Sequence, residues 1–598
     1  MCGMCGVVGP AAALTRLGPD ALDALRHRGP DGEGTVTVDG AGMAATLGHT
    51  RLAIVDLSEG GAQPMANEDG TVWMSFNGEI YNAAELRRHC EAHGHTFRGH
   101  SDGEVIIHLW ELEGWRGFER LNGIYAVAIA DQRTGELVLT RDPIGVKPLV
   151  YATDGESLWF ASELRALAAT GAPMGDLDLP ALAAFLTFLW VPEPSTPHVG
   201  ARSVLPGEVV RWSADEGLRR HIAIDLFAEA ASAADLTMDE ANDGIRQLVI
   251  DAVQRQLIAD VPVALMASGG IDSSLIWWAA GSGVERAYTM DWSVAATAER
   301  LDEDTTTSAI LAARLGTPLS LIEGADVELG ALPPSGDLIA DPAFGLSRLI
   351  ARQAQRDGYK VLLSGQGGDE VFAGYRRHVL GPLAARHHLG PIGTAGAALL
   401  KQTRSRRLAI EYAARMLRGT SRADPLASYM ELCTYSTARD RAVELDVTEA
   451  EVSDEVVWAR HRDVFDRLPT DWSLLRRFRA LDLAVYLPGL GLAYADRAGM
   501  EFGVEVRVPW LDLDLVRWAL RLPDEALVRG RTGKHLTRQL AAEVLPAIVA
   551  DRAKRGFALP VEHIVDQTGE AGERGFRQSA YLASAAQMLA RYRASPLT

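Results

Sequence analysis

Val261-Pro262-Val263-Ala264-Leu265-Met266-Ala267-Ser268-Gly269-Gly270-Ile271-Asp272-Ser273-Ser274 runs from a short apolar stretch through a glycine turn into the start of a helix. A continuous apolar run bounded by turn residues is the pattern of a strand buried on both faces, which is characteristic of parallel sheets covered by helices. The same rhythm continues on either side. An amphipathic helix is expected over 238–257, with Ile245, Leu248, Val249, Ala252 and Val253 on one face. Downstream, strand patterns at Ala287–Met290, Leu319–Ile322 and Lys360–Leu363 alternate with helical patterns over 303–315 and 344–357. This alternation predicts an α/β unit built on a parallel sheet, followed by a mostly helical region over 376–545.

The turn itself carries chemistry. Its two glycines let backbone N–H groups approach an anion, Ser268, Ser273 and Ser274 add hydroxyl donors, and the following helix presents its positive end. It reads as a phosphate cradle without the G-x-x-x-x-G-K-[ST] spacing, so transfer of a terminal phosphate is not implied. A second glycine loop, Ser364-Gly365-Gln366-Gly367-Gly368-Asp369-Glu370, follows the strand that ends at Leu363. Both loops are expected at the carboxyl ends of parallel strands, where open α/β sheets bind ligands. Asp272 and Asp369 could then share Mg²⁺ with phosphate oxygens, although either alone reads equally well as a helix cap.

The first part of the chain has a different texture. Over 34–165 short alternating runs such as Thr71-Val72-Trp73-Met74-Ser75-Phe76 dominate, with turns at Arg133-Thr134-Gly135 and Asp154-Gly155 and helical patterns over 83–93 and 103–119. Stacked antiparallel sheets with helices outside them are expected. The apolar stretch Ala181–Val191 is too short to span a bilayer and reads as a core helix, and the polar, alanine-rich 213–236 reads as a linker. The chain opens Met1-Cys2-Gly3-Met4-Cys5-Gly6-Val7-Val8-Gly9. Removal of the initiator Met would leave Cys2 with a free α-amine; thiol and amine titrate at ~8.5 and ~7.7 to 8.0, so the amine can take the thiol proton and return it to a leaving group. Met4-Cys5-Gly6 offers the same start three residues on, with Cys5 as nucleophile.

Composition narrows the class. With 598 residues, 47% hydrophobic and 23% charged, the chain has room for two or three domains with ample cores. Fifty-nine basic against 79 acidic side chains give a net charge of −20, which argues against a nucleic-acid partner. The four cysteines, Cys2, Cys5, Cys90 and Cys433, follow no zinc or disulfide-framework spacing. No secretory leader or membrane span is read, and a cytoplasmic location is expected.

Arg26-His27-Arg28-Gly29-Pro30-Asp31, His49-Thr50-Arg51-Leu52-Ala53-Ile54-Val55-Asp56, Phe76-Asn77-Gly78-Glu79-Ile80-Tyr81-Asn82 and Ser101-Asp102-Gly103-Glu104, taken with Cys2, resemble the glutaminase domain of the asparagine synthetase family, a class II glutamine amidotransferase. The Ser268–Ser274 loop resembles the pyrophosphate loop of the ATP pyrophosphatase superfamily. Later landmarks are Asp496-Arg497-Ala498-Gly499-Met500, Val504–Asp512 and Gly533-Lys534-His535-Leu536, so the resemblance runs from Cys2 to about Pro560. It implies an Ntn-hydrolase-type glutaminase over 1–212, a linker over 213–236, an ATP-pyrophosphatase-type synthetase over 237–565 with a helical C-terminal part, and a tail over 566–598. The family pattern C-G-x-C/A-G-x-V also favours Cys2 over Cys5, which then fills a small strand position.

By that resemblance Cys2 attacks the side-chain amide of glutamine, and Asn77 with the Gly78 N–H forms an oxyanion hole, an arrangement worth about 3 to 4 kcal/mol in a barrier. Arg51 would hold the glutamine carboxylate and Asp102 its ammonium, with Leu52, Ala53, Ile54, Val55 and Glu79 completing the pocket. Ammonia would pass through an apolar tunnel to a second site. There ATP, gripped by Ala267, Ser268, Gly269, Gly270, Asp272, Ser273, Ser274, Met290, Ser364 and Gly365, would adenylate a carboxylate, with Mg²⁺ on Asp272 and Asp369. Lys534 would steady the phosphates, and Glu505 joins the catalytic set, although its alternation with Arg507 also reads as a structural ion pair.

Three positions depart from the family pattern: Gln366 stands where many relatives are acidic, Leu315-Gly316-Thr317-Pro318 lacks a following His, and Asp337-Leu338-Ile339 replaces an acidic-Pro segment. The expected reaction is glutamine-dependent amidation of a carboxylate through an acyl-adenylate, aspartate to asparagine first and another carboxylic acid second. An intramolecular amide former resembling β-lactam synthetase is opposed by the intact Cys2, Arg51, Asn77 and Asp102, and a non-catalytic glutamine sensor by the complete phosphate loop, Asp369 and Lys534. Homodimers are common among relatives.

Overall fold

The structure, a computed structural model, describes residues 2–9, 17–291, 302–324, 332–402, 408–552 and 576–597. The first half supplies β1 (Gly3–Gly9), β2 (Gly32–Gly40), β3 (Met43–Arg51), β4 (Met65–Ala66), β5 (Val72–Ile80) and β6 (Gly123–Asp131). It continues with β7 (Glu136–Arg141), β8 (Val150–Thr153), β9 (Leu158–Ala161), β10 (Ala201–Ser203), β11 (Glu208–Ser213) and β12 (Gly217–Ile222). These form two antiparallel sheets, β10-β8-β9-β1-β3-β2 and β12-β11-β7-β6-β5-β4. The inner faces meet through Met4, Val8, Leu47 and Phe160 from one sheet and Ala126, Ala128, Leu139 and Trp212 from the other. Period-two alternation along each strand places these apolar residues on one face. The outer faces are covered by helices: Ala83–Ala92 and Glu104–Glu113 on one sheet, Pro19–Asp23 and Leu164–Ala169 on the other.

The second half is built on a parallel sheet. Its strands β13 (Val263–Met266), β14 (Arg286–Asp291), β15 (Leu319–Glu323), β16 (Val361–Leu363) and β17 (Glu505–Arg507) lie in the order β15-β14-β13-β16-β17. The helix Met238–Gln256 begins with a capping box, in which Thr237 and Glu240 satisfy each other's backbone N–H groups. Such an N-cap contributes about 1 kcal/mol. Its apolar stripe, Ala241, Ile245, Val249, Ala252 and Val253, packs on one side of the sheet with the helix Ile271–Ala280. The other side is covered by Ala343–Arg356, and Leu179–Phe188 from the first half, the buried helix expected around 181–191, joins the same apolar core. Among the described residues no helix is long and apolar enough to cross a membrane.

Two segments differ from the sequence reading. The expected linker 213–236 carries β12, which pairs with β11 as an edge strand, and the helix Leu226–Ser232. Polar edge residues such as Arg219 and Arg220 hid this strand, because an edge strand of an antiparallel sheet can keep a wet face. The expected tail holds the helix Phe576–Ala594, whose Tyr581, Leu582, Ala585, Met588, Leu589 and Tyr592 are buried against the second-half core. The boundary expected at 565 lies outside the described residues.

Candidate active sites at the two ends of the parallel sheet

The first site lies where β1, β3 and β5 bring three motifs together. Cys2 is buried, its N–H donates to Asn77 Oδ1 at 2.8 Å, and its Sγ lies 4.0 Å from the Leu52 carbonyl oxygen. That bond orients the Asn77 amide and leaves its Nδ2 donor buried without a hydrogen-bond partner. Beside it Gly78 has no room for a side chain, since a Cβ would overlap the Ile124 carbonyl oxygen. Burial raises the Cys2 thiol above its usual range, opposed by the chain's terminal ammonium and the Leu52 carbonyl contact. Cys5 points into the opposite layer with Ala21, Leu25 and Leu167, and burial pushes its thiol up to about 12. Cys2 thus lies beside Asn77, and Cys5 packs in a separate apolar cluster.

Arg51 is anchored through Nη1 to the Ser58 carbonyl oxygen at 2.9 Å and through Nη2 to that of Asp56. Asp102 Oδ2 accepts the Ile80 N–H at 2.6 Å, and burial pushes its carboxyl up to about 6 against that hydrogen bond. Leu52 and Ile54 are buried, while Ala53 and Val55 are partly exposed along the same turn. This turn rests on the amino ends of the parallel strands. Asp260 donates its N–H to the Ile54 carbonyl oxygen at 2.9 Å and accepts the Asp56 N–H at 2.8 Å, and Lys360 Nζ lies 2.7 Å from Asp31 Oδ2.

The second site occupies the carboxyl ends. Gly269, at φ +63°, makes the turn after β13, and Ser273 Oγ lies 3.0 Å from Ser268 Oγ and accepts the Ser268 N–H at 3.2 Å. Ser364 and Gly365 follow β16, close enough that a Cβ on Gly365 would lie 2.9 Å from the Ser273 nitrogen. Ala267 donates its N–H to the Tyr288 carbonyl oxygen at 2.7 Å, Ser274 is buried in the first turn of Ile271–Ala280, and Met290 is buried on β14. Lys534, only 3% exposed, bridges Asp272 and Asp369, lying 2.5 Å from Asp369 Oδ1. These two carboxylates hold its ammonium well above the usual lysine range despite burial. Asp272 Oδ1 is left buried without a hydrogen-bond partner.

Glu505 departs from its expected place. It pairs in register with Val361, two residues on the amino side of Leu363, so it lies away from the phosphate loops. It joins a buried ion network between the halves: Arg507 Nε donates to Glu505 Oε1 at 2.5 Å, Arg507 Nη2 lies 3.0 Å from Glu79 Oε1, and Lys147 Nζ lies 3.5 Å from Glu505 Oε2. Burial alone would raise the Glu505 carboxyl, but Lys147, the chain amine and Arg507 hold it far below the usual range. Burial raises Glu79, and Arg507 offsets this only in part. The alternation read at 505–507 is thus an ion pair, extended across the domain boundary to Glu79.

Sequence reading also gave no role to several residues that shape these sites. Arg28, fully buried, donates from Nε to the Cys2 carbonyl oxygen at 3.1 Å and pairs with Glu163 at 2.7 Å and Asp496 at 2.8 Å. Arg552 donates to the Gly269 carbonyl oxygen at 2.7 Å and pairs with Asp304. Glu370, inside the quoted second loop, accepts from the Tyr375 hydroxyl at 2.7 Å, and burial pushes its carboxyl up to about 7.

Residues 1–221 match the family model described as glutamine amidotransferase domain, and residues 244–582 the one described as asparagine synthase. The chain belongs to the asparagine synthase family. Among its relatives, asparagine synthetase (glutamine-hydrolyzing) 1 of Bacillus subtilis is 30% identical, over 94% of this chain and 88% of that protein. A putative asparagine synthetase (glutamine-hydrolyzing) of Mycobacterium bovis is 32% identical over the same shares, 94% and 88%. Amidase chry2 of Gibberella zeae is 29% identical over 62% of this chain and 57% of its own length. As a member of the asparagine synthase family the chain is a carbon–nitrogen ligase that takes nitrogen from glutamine.

Proposed function

We propose that the chain makes a primary amide from a carboxylate, most simply asparagine from aspartate, in two linked half-reactions. Removal of Met1 frees the Cys2 α-amine, which takes the proton of the buried thiol as Sγ attacks the glutamine amide carbon. Asn77 Nδ2 and the Gly78 N–H receive the oxyanion, Arg51 the substrate carboxylate and Asp102 its ammonium. The proton returns to the departing ammonia, and water releases glutamate from the thioester. The observation that carries this half is the Asn77 amide, fixed by Cys2 and left with one buried, unspent donor.

A pH dependence follows. The α-amine must be neutral to act as base, so kcat/KM for glutamine falls about tenfold per unit below its pKa of ~7.7 to 8.0. Asp102 must be ionised to meet the ammonium, and its carboxyl sits at about 6. Below pH 6 the two losses multiply, steepening the fall to about a hundredfold per unit. Glutamate release against pH checks this. Asp102→Asn should abolish the second break, and its persistence in that variant would reject the assignment.

In the second half-reaction the Ser268–Ser274 loop and Ser364-Gly365 grip ATP, whose α-phosphorus is attacked by the acceptor carboxylate, releasing pyrophosphate. Ammonia then attacks the acyl-adenylate and AMP leaves. Two clustered carboxylates, one with a buried unpartnered oxygen, are a donor set that fits Mg²⁺, which would be held by Asp272 and Asp369 and would neutralise phosphate charge. Lys534 supplies a fixed cation to the same oxygens.

A different acceptor is the second reading, raised by the departures at 315–318 and 337–339, which put aspartate in doubt. In these segments Thr317 Oγ1 accepts the Trp277 indole N–H at 3.2 Å, and Asp337 is paired with Arg497 at 2.7 Å. Pyrophosphate release with ATP, Mg²⁺ and glutamine, measured against a panel of carboxylates led by aspartate, tests the choice. Aspartate-dependent release with asparagine identified by mass is the expected result. Release with another acid only would reassign the acceptor.

A further inference from the structure

Away from both sites, Glu68, His95, His108 and Glu111 aim one donor atom each at a common point on the outer side of the glutaminase half, all four within 4.8 Å of one another. His95 Nδ1 and His108 Nδ1 are 3.1 Å apart. Glu68 Oε1 lies 3.9 Å from the first and 3.8 Å from the second; Glu111 Oε2 lies 3.8 Å and 3.9 Å from them. A tetrahedral ion bound at about 2.0 to 2.1 Å needs donors about 3.3 Å apart, so the imidazoles would part slightly and the two carboxylates, within 4.8 Å of each other, would draw in to complete a shell. We propose that these four residues bind one Zn²⁺ ion, which anchors the segment 95–102 that carries Asp102.

Two further observations point to a ligand. A direct hydrogen bond between the imidazoles would use both Nδ1 atoms but leave Glu111 Oε2, which is buried and has no hydrogen-bond partner. Its sister oxygen is already fixed by Asn67 Nδ2 at 2.8 Å and Arg133 Nη1 at 3.1 Å, so Oε2 is held toward the cluster by contacts typical of an outer sphere. His108 and Glu111 stand three residues apart on the helix Glu104–Glu113 and therefore share a face. Behind His108 Nε2, at 3.9 Å, Glu104 accepts the N–H groups of Arg98 and Gly99 at 2.6 and 3.1 Å. In the proposed site an ion on His108 would thus lie next to Glu104, which holds the backbone leading to Asp102. Glu68, 41% exposed, leaves an entry path, and a donor set of two imidazoles and two carboxylates without thiolate suits Zn²⁺.

The anchoring part rests on the glutamine pocket proposed above; the metal site does not. The test is metal analysis of the full-length chain, purified untagged and without chelator. About one zinc per chain is expected, falling at least tenfold in the His95→Gln/His108→Gln variant while ammonia-driven synthesis holds. Zinc below about a tenth of an equivalent with no uptake of added Zn²⁺, or full retention in the double variant, overturns the site. Should that variant fail to fold, Co²⁺ substitution of the parent chain decides. Tetrahedral d–d bands without thiolate charge transfer support the four residues, and thiolate bands reject them. Metal removal is expected to raise the glutamine KM about tenfold, and an unchanged KM rejects the anchoring.

Discussion

Cys2→Ala is expected to cut glutamine-driven amide formation by at least about a thousandfold, because no other group at the site can form the thioester. With ammonium salts the rate should stay within about twofold of the parent, since the second site is intact and needs only the free amine of ammonia. The separation is structural. Cys2 sits against Asn77 and Leu52 at the amino ends of the parallel strands, whereas the Ser268 and Ser364 loops follow the carboxyl ends of β13 and β16. The substitution itself is mild, removing one sulfur from a small side chain at a cost of about 1 kcal/mol or less, so loss of fold would not explain the result. Glutamate release and amide product, measured side by side, check it. An ammonia-driven rate that falls with the glutamine-driven one, in a variant of unchanged circular dichroism, would mean that the two half-reactions share a site.

Arg28→Met would act on the same centre indirectly, which illustrates how much of it local sequence concealed. That Asn77 meets Cys2 could be expected because each sits in a short family motif. The same holds for β13 and its glycine loop, where strand, turn and helix start are contiguous. Arg28 also lies in a quoted motif, yet its role depends on Glu163 and Asp496, which stand 135 and 468 residues away. No periodicity encodes that meeting. β17 is similar: its three residues gain a sheet only by lying beside β16, far back in the chain. The apparent linker failed for another reason, since exposed β12 carries too little apolar alternation to be recognised without its partner β11.

The ion network raises a related point about Glu505. A buried carboxylate beside a buried lysine and arginine costs desolvation that its pairing offsets only when geometry is good, so such networks are weak evidence for stability. Here the partners come from both halves, Lys147 and Glu79 from one and Glu505 and Arg507 from the other. Arg507 Nη1 also donates to the carbonyl oxygens of Gln256 and Ile258 at 2.8 and 2.7 Å. The network thus joins the two halves, and Glu505 lies within it.

Asp272→Asn is expected to lower pyrophosphate release about a hundred- to a thousandfold with either nitrogen source, leaving glutaminase turnover within about twofold. Asp272, Asp369 and Lys534 together carry a net charge of −1, which attracts a divalent cation while keeping one fixed positive charge for the phosphates. Asparagine keeps the size and one carbonyl oxygen, but the cluster becomes neutral and the buried Oδ1 loses its charge. A cation at the proposed site would then be held by Asp369 alone, beside a lysine that repels it. Raising Mg²⁺ should recover part of the rate, whereas Lys534→Met, which leaves both carboxylates and removes the repulsion, should lower the Mg²⁺ requirement and still depress the maximal rate. Opposite shifts in Mg²⁺ dependence are the discriminating result, because general damage to the loop would move both variants the same way. Pyrophosphate release from Asp272→Asn equal to the parent at every Mg²⁺ concentration would remove Asp272 from the metal site.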